Sequence, residues 1–124
     1  MVYVLLGTGF EEIEAVTPID LLRRAGVAVT TVGLNGKIVK GSHKVGFEAD
    51  VEISDLDVSD ADMIVLPGGL GGVASISACP AALHAVEQVW KQGGFVAAIC
   101  AAPTVLAALH ITDGHPTTCY PGCE

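Results

Sequence analysis

An α/β domain with a parallel sheet between helices is what this sequence predicts. Short aliphatic runs without polar alternation recur along the chain, longer segments of helical spacing separate them, and glycine pairs mark several of the junctions. With 124 residues, 51% of them hydrophobic and only 16% charged, the chain can fill one core and reads as one domain, 1–124. The low charge also suggests a surface partly covered by further chain or by a second subunit.

Val2–Leu6 is the first strand, and its unbroken apolar run fits a central position covered on both faces. Gly7 and Gly9 end it. From Glu11 to Ala25, Ile13, Val16, Ile19, Leu22 and Ala25 recur every three residues, which predicts an amphipathic helix with that stripe inward. Pro18 should kink this helix or mark a second start, and Gly26 should stop it. Val27–Val32 is the second strand, and Asn35-Gly36 predicts a tight turn into an extended Lys37–Lys40. Val45–Ile53 reads as a further irregular extended segment, and the acidic stretch from Ser54 to Asp62 as a solvated connection.

Met63–Leu66 is the next buried strand, closed by Pro67-Gly68-Gly69. Pro80–Gln92 is helical, with Leu83, Val86 and Trp90 on one face, Cys79-Pro80 at its start and Gly93-Gly94 at its end. Phe95–Ile99 is another strand, and Ala101–Leu109 a helix that follows with no intervening loop, so the chain must turn sharply at Cys100. Thr117–Cys119 is expected to open one more strand. No helix follows it to close that unit, and the C-terminal part of the domain is expected to be missing from these 124 residues.

Composition excludes several function classes. Six basic against fourteen acidic residues give a net charge of −8, and no basic cluster exceeds Arg23-Arg24, so nucleic acid is not an expected partner. No apolar run approaches the roughly 20 residues that span a bilayer. The apolar N-terminus lacks a basic lead-in and a cleavage site and is followed by Glu11, Glu12 and Glu14, which argues against a signal peptide. Cys79, Cys100, Cys119 and Cys123 form no CxxC pair, so reduced thiols in a cytoplasmic setting are expected.

Cys100 is the first candidate for chemistry. Between a buried strand and a helix it should project from the carboxyl edge of the sheet, where doubly wound folds bind ligands. A helix start beneath it would favour thiolate and can lower a cysteine pKa from about 8.5 toward neutrality. The plainer reading is a small buried residue, although the neighbours Ala97, Ala98, Ala101 and Ala102 suit a strained elbow. Glu14, just after the first strand, belongs to the same edge. It can assist a thiolate only if burial keeps it protonated; otherwise Glu11, Glu12 and Glu14 merely suit a helix N-terminus. Gly68 and Gly69 can present backbone N–H groups, and Gly69 with the N–H of Ala101 would make an oxyanion hole. His43, His84, His110 and His115 are candidate bases, the last three more plausibly structural. His115, Cys119 and Cys123 match no standard zinc spacing, so no metal is expected. Gly7-Thr8-Gly9 fails the dinucleotide fingerprint because position 12 is Glu12.

Taken together, Glu11-Glu12-Ile13-Glu14, Leu21-Leu22-Arg23-Arg24-Ala25-Gly26, Leu66-Pro67-Gly68-Gly69 and Ala97-Ala98-Ile99-Cys100-Ala101-Ala102-Pro103 resemble the ThiJ/PfpI superfamily, in the branch of the parkinsonism-associated deglycase and its bacterial relatives. The resemblance runs in order along nearly the whole chain. It implies a flavodoxin-like sandwich, usually homodimeric and longer than the present sequence. It further implies Cys100 as nucleophile or redox sensor, Glu14 as its protonated partner and Gly69 near the oxyanion. Arg24, His43 and Tyr120 are the candidate pocket residues. Two departures are evident. Peptidase-like members carry a histidine where this chain has Ala101, and some members of the deglycase branch carry one where Tyr120 falls.

The expected function is cysteine-dependent chemistry, without a cofactor, on small reactive carbonyls or glycated substrates, of glyoxalase or deglycase type and protective under oxidative stress. The competing expectation is a non-enzymatic redox sensor or redox-regulated chaperone that uses the same cysteine.

Overall fold

The computed structural model describes all residues, 1–124. Its main sheet has five parallel strands in the order β5-β2-β1-β6-β7: β1 is Val2–Leu6, β2 Val29–Gly33, β5 Val51–Glu52, β6 Met63–Leu66 and β7 Phe95–Ala98. A separate antiparallel hairpin pairs β3 (Ile38–Lys40) with β4 (Gly46–Glu48). Four helices complete the fold: α1 (Glu12–Arg24), α2 (Leu70–Ser77), α3 (Pro80–Lys91) and α4 (Pro103–Ala108).

Strand β1 explains the layering. Its alternate side chains point to opposite faces, so Val2, Val4 and Leu6 pack with Phe10 and Ala15 on the α1 side. Tyr3 and Leu5 join Ile64 and Leu66 of β6 against Val73, Ile76, Val86, Val89 and Val105 from the other three helices. Leu5, Leu6, Ile64 and Leu66 are at most 1% exposed, and each such side chain contributes about 1.5–3 kcal/mol relative to remaining in water. Both faces are covered, as the unbroken apolar run of β1 requires.

The helix expected over Glu11–Ala25 forms, but with a different inward stripe. Ala15 is fully buried and Ile19 and Leu22 are partly so, whereas Ile13 is 74% exposed. Pro18 neither breaks α1 nor restarts it. Lacking an N–H, it leaves the Glu14 carbonyl without its usual partner in the next turn. Helix α2 lies where no helix was expected, and the strand expected at Thr117–Cys119 is absent: those residues are irregular. The acidic connection after β5 includes a single 3-10 turn at Ile53–Asp55 and buries Val58 and Ala61, so only part of it is solvated.

Chain order reverses direction across the sheet between β1 and β6. From β1 the chain proceeds to β2 on one side, while β6 is followed by β7 on the other. In open α/β sheets the crevice outside the carboxyl ends at such a reversal is where ligands bind. Three loops meet there: the ones leaving β1, β6 and β7.

Candidate active site

Each loop delivers one element of a compact arrangement. The β1–α1 loop ends at Glu11, which caps α1 by accepting from the Ile13 N–H at 3.4 Å, while its own N–H donates to the Gly68 carbonyl at 3.0 Å. That bond ties the start of α1 to the loop after β6. One helical turn later stands Glu14. After β7 the chain turns at Cys100 with φ +63°, a left-handed conformation that costs an L-residue about 1–2 kcal/mol and that few residues other than glycine adopt.

Gly68 is the meeting point. A Cβ placed on it would lie 2.5 Å from Cys100 Cβ, 2.6 Å from Glu14 Oε1 and 3.0 Å from Glu14 Oε2. The thiol-bearing residue and the carboxyl therefore converge on the same spot, and only the absence of a side chain leaves room for both. Gly69 is equally constrained: at φ +87° its missing Cβ would come within 2.6 Å of Glu11 N and Gly9 O. It caps α2, and its N–H and that of Ala101 have no backbone acceptor. The N–H groups of Gly68 and Cys100 likewise have none, so the loops leaving β6 and β7 carry several unengaged main-chain donors.

Glu14 Oε1 is buried without a hydrogen-bond partner. Burial, and after it the charge of Glu11, push this carboxyl above the usual carboxylate range, while the neighbouring Cys100 side chain pulls in the opposite direction. A carboxyl so placed holds its proton to higher pH and has a donor to offer the sulfur. It also lines a mostly apolar groove of about 460 Å³ between α1 and β7, with Ile13, Leu21, Ala97 and Ile99 among its walls.

The helix expected to start directly after Cys100 is set back. Helix α4 begins at Pro103 and has six residues, and Ala101 and Ala102 form a turn before it. Cys100 accordingly stands ahead of the helix rather than on its first turn. Its carbonyl accepts the Tyr120 N–H at 2.8 Å.

Of the expected site residues, the structure brings Cys100, Glu14 and Gly68 together, with Gly69 and Ala101 as their chain neighbours. Tyr120 reaches Cys100 only through its main chain, and the residue is 60% exposed. Arg24 is not brought to the site: it sits at the far end of α1, where Nε donates to Asp20 at 2.9 Å. His43, on the β3–β4 connection, contacts Glu11 and Glu12 rather than Cys100. His84 is exposed, His110 bonds Asp113 at 3.2 Å, and His115 packs edge-on to Trp90.

Glu11, Glu12 and His43 have donor atoms within 4.8 Å of one another. Glu12, however, is already engaged by the hairpin, so the trio reads as a hydrogen-bonded clasp rather than a metal centre. Burial would push the Glu12 carboxyl up, but its own backbone N–H, the His43 ring and the N–H groups of His43 and Val45 outweigh it and hold it at about 2. Glu11 is the residue that sequence reasoning undervalued. Its place in a run of three acids pointed to a helix start and gave no sign of the bond to Gly68.

The fold is that of a doubly wound α/β protein, with a cysteine in a left-handed turn after β7 and the partly buried carboxyl of Glu14 beside it. The sequence profile of the DJ-1/PfpI family matches residues 1–124, and the chain belongs to that family. It is 41% identical to protein dj-1beta of Drosophila melanogaster over 122 residues, 98% of this chain and 65% of that one. Glutathione-independent glyoxalase DJR-1.2 of Caenorhabditis elegans is 34% identical over 110 residues, 89% of this chain and 58% of that protein. Among solved structures, oxidized Toxoplasma gondii DJ-1 matches with a TM-score of 0.90 and 36% identity, covering 97% of this chain and 66% of its own. The chain thus spans about 65% of the length of the curated dj-1beta protein it matches. No helix is long and apolar enough to cross a membrane.

Proposed function

We propose that this chain carries the thiol and the acid of a cysteine-dependent, cofactor-free enzyme that acts on small reactive carbonyls, of glyoxalase or deglycase type. The observation that carries the reading is the convergence on Gly68 of Cys100 and of Glu14, whose carboxyl burial pushes above the usual carboxylate range. Family membership and the glyoxalase among the relatives support the same chemistry.

With an α-oxoaldehyde such as methylglyoxal, the Cys100 sulfur, as thiolate, adds to the aldehyde carbon. The C–S bond forms as the C=O π pair moves to oxygen. The N–H groups of Gly69 and Ala101 are among the donors available to that oxyanion. Glu14 gives up its proton to the oxygen, and the resulting carboxylate takes the C1 hydrogen as a proton and redelivers it at C2, while the C1 hydroxyl proton passes to the C2 oxygen as the C1 carbonyl forms. The hemithioacetal becomes a 2-hydroxy thioester, and water cleaves it to lactate and restores the thiol.

The active form is proposed to be a cytoplasmic homodimer with a protective role under oxidative stress. The outward Ile13 and Leu21 on α1, 74% and 59% exposed, support a covered surface there. The test is lactate release from methylglyoxal by the full-length protein. Turnover should disappear in Cys100→Ser and fall at least tenfold in Glu14→Gln; equal turnover by wild type and Cys100→Ser removes the proposal. Selective peroxide oxidation of Cys100, read by mass spectrometry, in a protein without turnover would instead favour the sensor reading.

A further inference from the structure

The tip of the β3–β4 hairpin lies outside the pair just described, yet it grips the same helix start. His43 Nδ1 stands 3.1 Å from Glu12 Oε1 and 3.5 Å from Glu11 Oε2. The main-chain N–H groups of His43 and Val45 donate to Glu12 Oε2 at 2.8 and 3.3 Å, and the Ser42 hydroxyl lies 3.3 Å from Glu11 Oε2 and 3.1 Å from Glu12 Oε1. Gly41 leaves room for the Glu12 carboxylate: a Cβ there would come within 2.4 Å of Glu12 Cδ and displace that side chain. The two carboxylates divide the work. Glu12 anchors the hairpin, whereas Glu11 caps α1 with one oxygen and faces His43 with the other.

Glu11 also precedes Glu14 by three residues at the start of the same helix, a spacing that sets two side chains side by side on one face, and its charge opposes ionisation of Glu14. A proton on His43 would offset that charge, and its loss would restore it. We propose that His43 is a positioning residue for the protonation state of Glu14, acting through Glu11: the ring, 3.5 Å from that carboxylate, switches its field on the site as it gains or loses a proton. The consequence for the active site rests on the Cys100–Glu14 reading, but the coupling itself does not.

The charged groups around each member are few. Facing His43 from α1 are Glu11 and Glu12, and its own loop adds Lys44. Acting on Glu14 are Glu11 from the cap of its own helix and Cys100 from the turn after β7. Glu11 and Glu12 both favour the protonated ring and raise the His43 pKa, the hydrogen bond to Glu12 contributing most. When the ring is protonated, Glu11 and His43 present little net charge to Glu14, which then ionises more readily. When the ring is neutral, the full charge of Glu11 faces Glu14, which keeps its proton to higher pH. A proton on one group thus disfavours a proton on the other, so the Glu14 titration should be broader than a one-site curve. Because His43 is 70% exposed, solvent screening limits the effect to roughly half a pH unit.

The experiment is a carbon-13 NMR titration of the Glu14 carboxyl in the full-length protein. His43→Gln should raise the Glu14 midpoint by about half a unit, and Glu11→Gln should lower it by more, about one unit. Adding His43→Gln to Glu11→Gln should move it no further, within about 0.1 unit. His43→Arg, which keeps the charge at every pH, should hold the midpoint low and restore a one-site slope. The proposal is overturned by a midpoint unmoved in His43→Gln, or moved equally with and without the Glu11 carboxylate. NMR reads the proton rather than turnover, so this coupling and the carbonyl chemistry stand or fall separately.

Discussion

Replacing Gly68 with alanine tests the geometry of the site most directly. The new methyl would lie 2.5 Å from Cys100 Cβ and 2.6 and 3.0 Å from the Glu14 carboxylate oxygens, where unstrained carbon contacts fall near 3.5–4.0 Å. About 1 Å of movement is required. The carboxylate can rotate away, but Cys100 Cβ is fixed to a backbone already held at φ +63°, so most of the strain falls on the Cys100 turn. Overpacking of this kind costs about 1–3 kcal/mol. Taking about 2 kcal/mol as the middle of that range, the folding equilibrium weakens roughly 30-fold, and the urea midpoint falls by about 1 M for a slope near 2 kcal/mol/M. The same substitution in a Cys100→Gly background, where the closest clash no longer exists, should cost under about 1 kcal/mol. Urea denaturation of the four proteins in the cycle measures this. A Gly68→Ala protein as stable as wild type, or one equally destabilised in both backgrounds, would refute the close approach from which the site was built.

Two more expectations follow from the same contacts. Cys100→Gly should be more stable than Cys100→Ala by about 0.5–1 kcal/mol, since relief of the left-handed strain exceeds the added chain entropy of glycine; thermal melts that place alanine level with or above glycine would deny that strain. Glu12 has a carboxyl at about 2 in the fold against an ordinary value of 4.5, so its ionised form contributes stability that is complete above pH 4.5 and lost as the pH falls toward 2. Glu12→Gln should therefore be less stable than wild type at pH 7, with the gap closing between pH 4.5 and 2, and a gap that stays constant over that range would contradict the clasp.

The elements with strong local signals were legible in the sequence. Strands β1 and β6 fall on the residues expected, and α1 and α3 lie within a residue or so of their expected bounds, because apolar runs and glycine stops are local features. Helix α2 was not legible, for a tertiary reason. Its Gly71 and Gly72 disfavour a helix by propensity, yet a Cβ on Gly72 would meet Phe10 Cα at 2.7 Å and one on Gly71 would meet Gly9 Cα at 3.1 Å. The glycines allow the helix to lie against the loop that leads to Glu11, and no local pattern reports such an approach. The stripe of α1 was misplaced because a three-residue spacing drifts around a helix of 3.6 residues per turn. The extended stretch at Thr117–Cys119 has strand-like residues but finds no ladder partner, and only Tyr120 bonds back, to Cys100. Cys100, Glu14 and Gly68 could each be picked out from their positions after strands. Arg24 could not be excluded from the sequence, since helix length, about 20 Å for the residues of α1, is what carries it to the opposite end.

The left-handed turn at the end of β7 has a bearing on how this position would change under random substitution. Backbone preference alone would carry residue 100 toward glycine or asparagine, the residues that accept this conformation most cheaply. A bulky or branched replacement would be lost through misfolding before its chemistry could matter. The position therefore offers a narrow choice, and a residue found there against the backbone's own preference is informative about what its side chain is for.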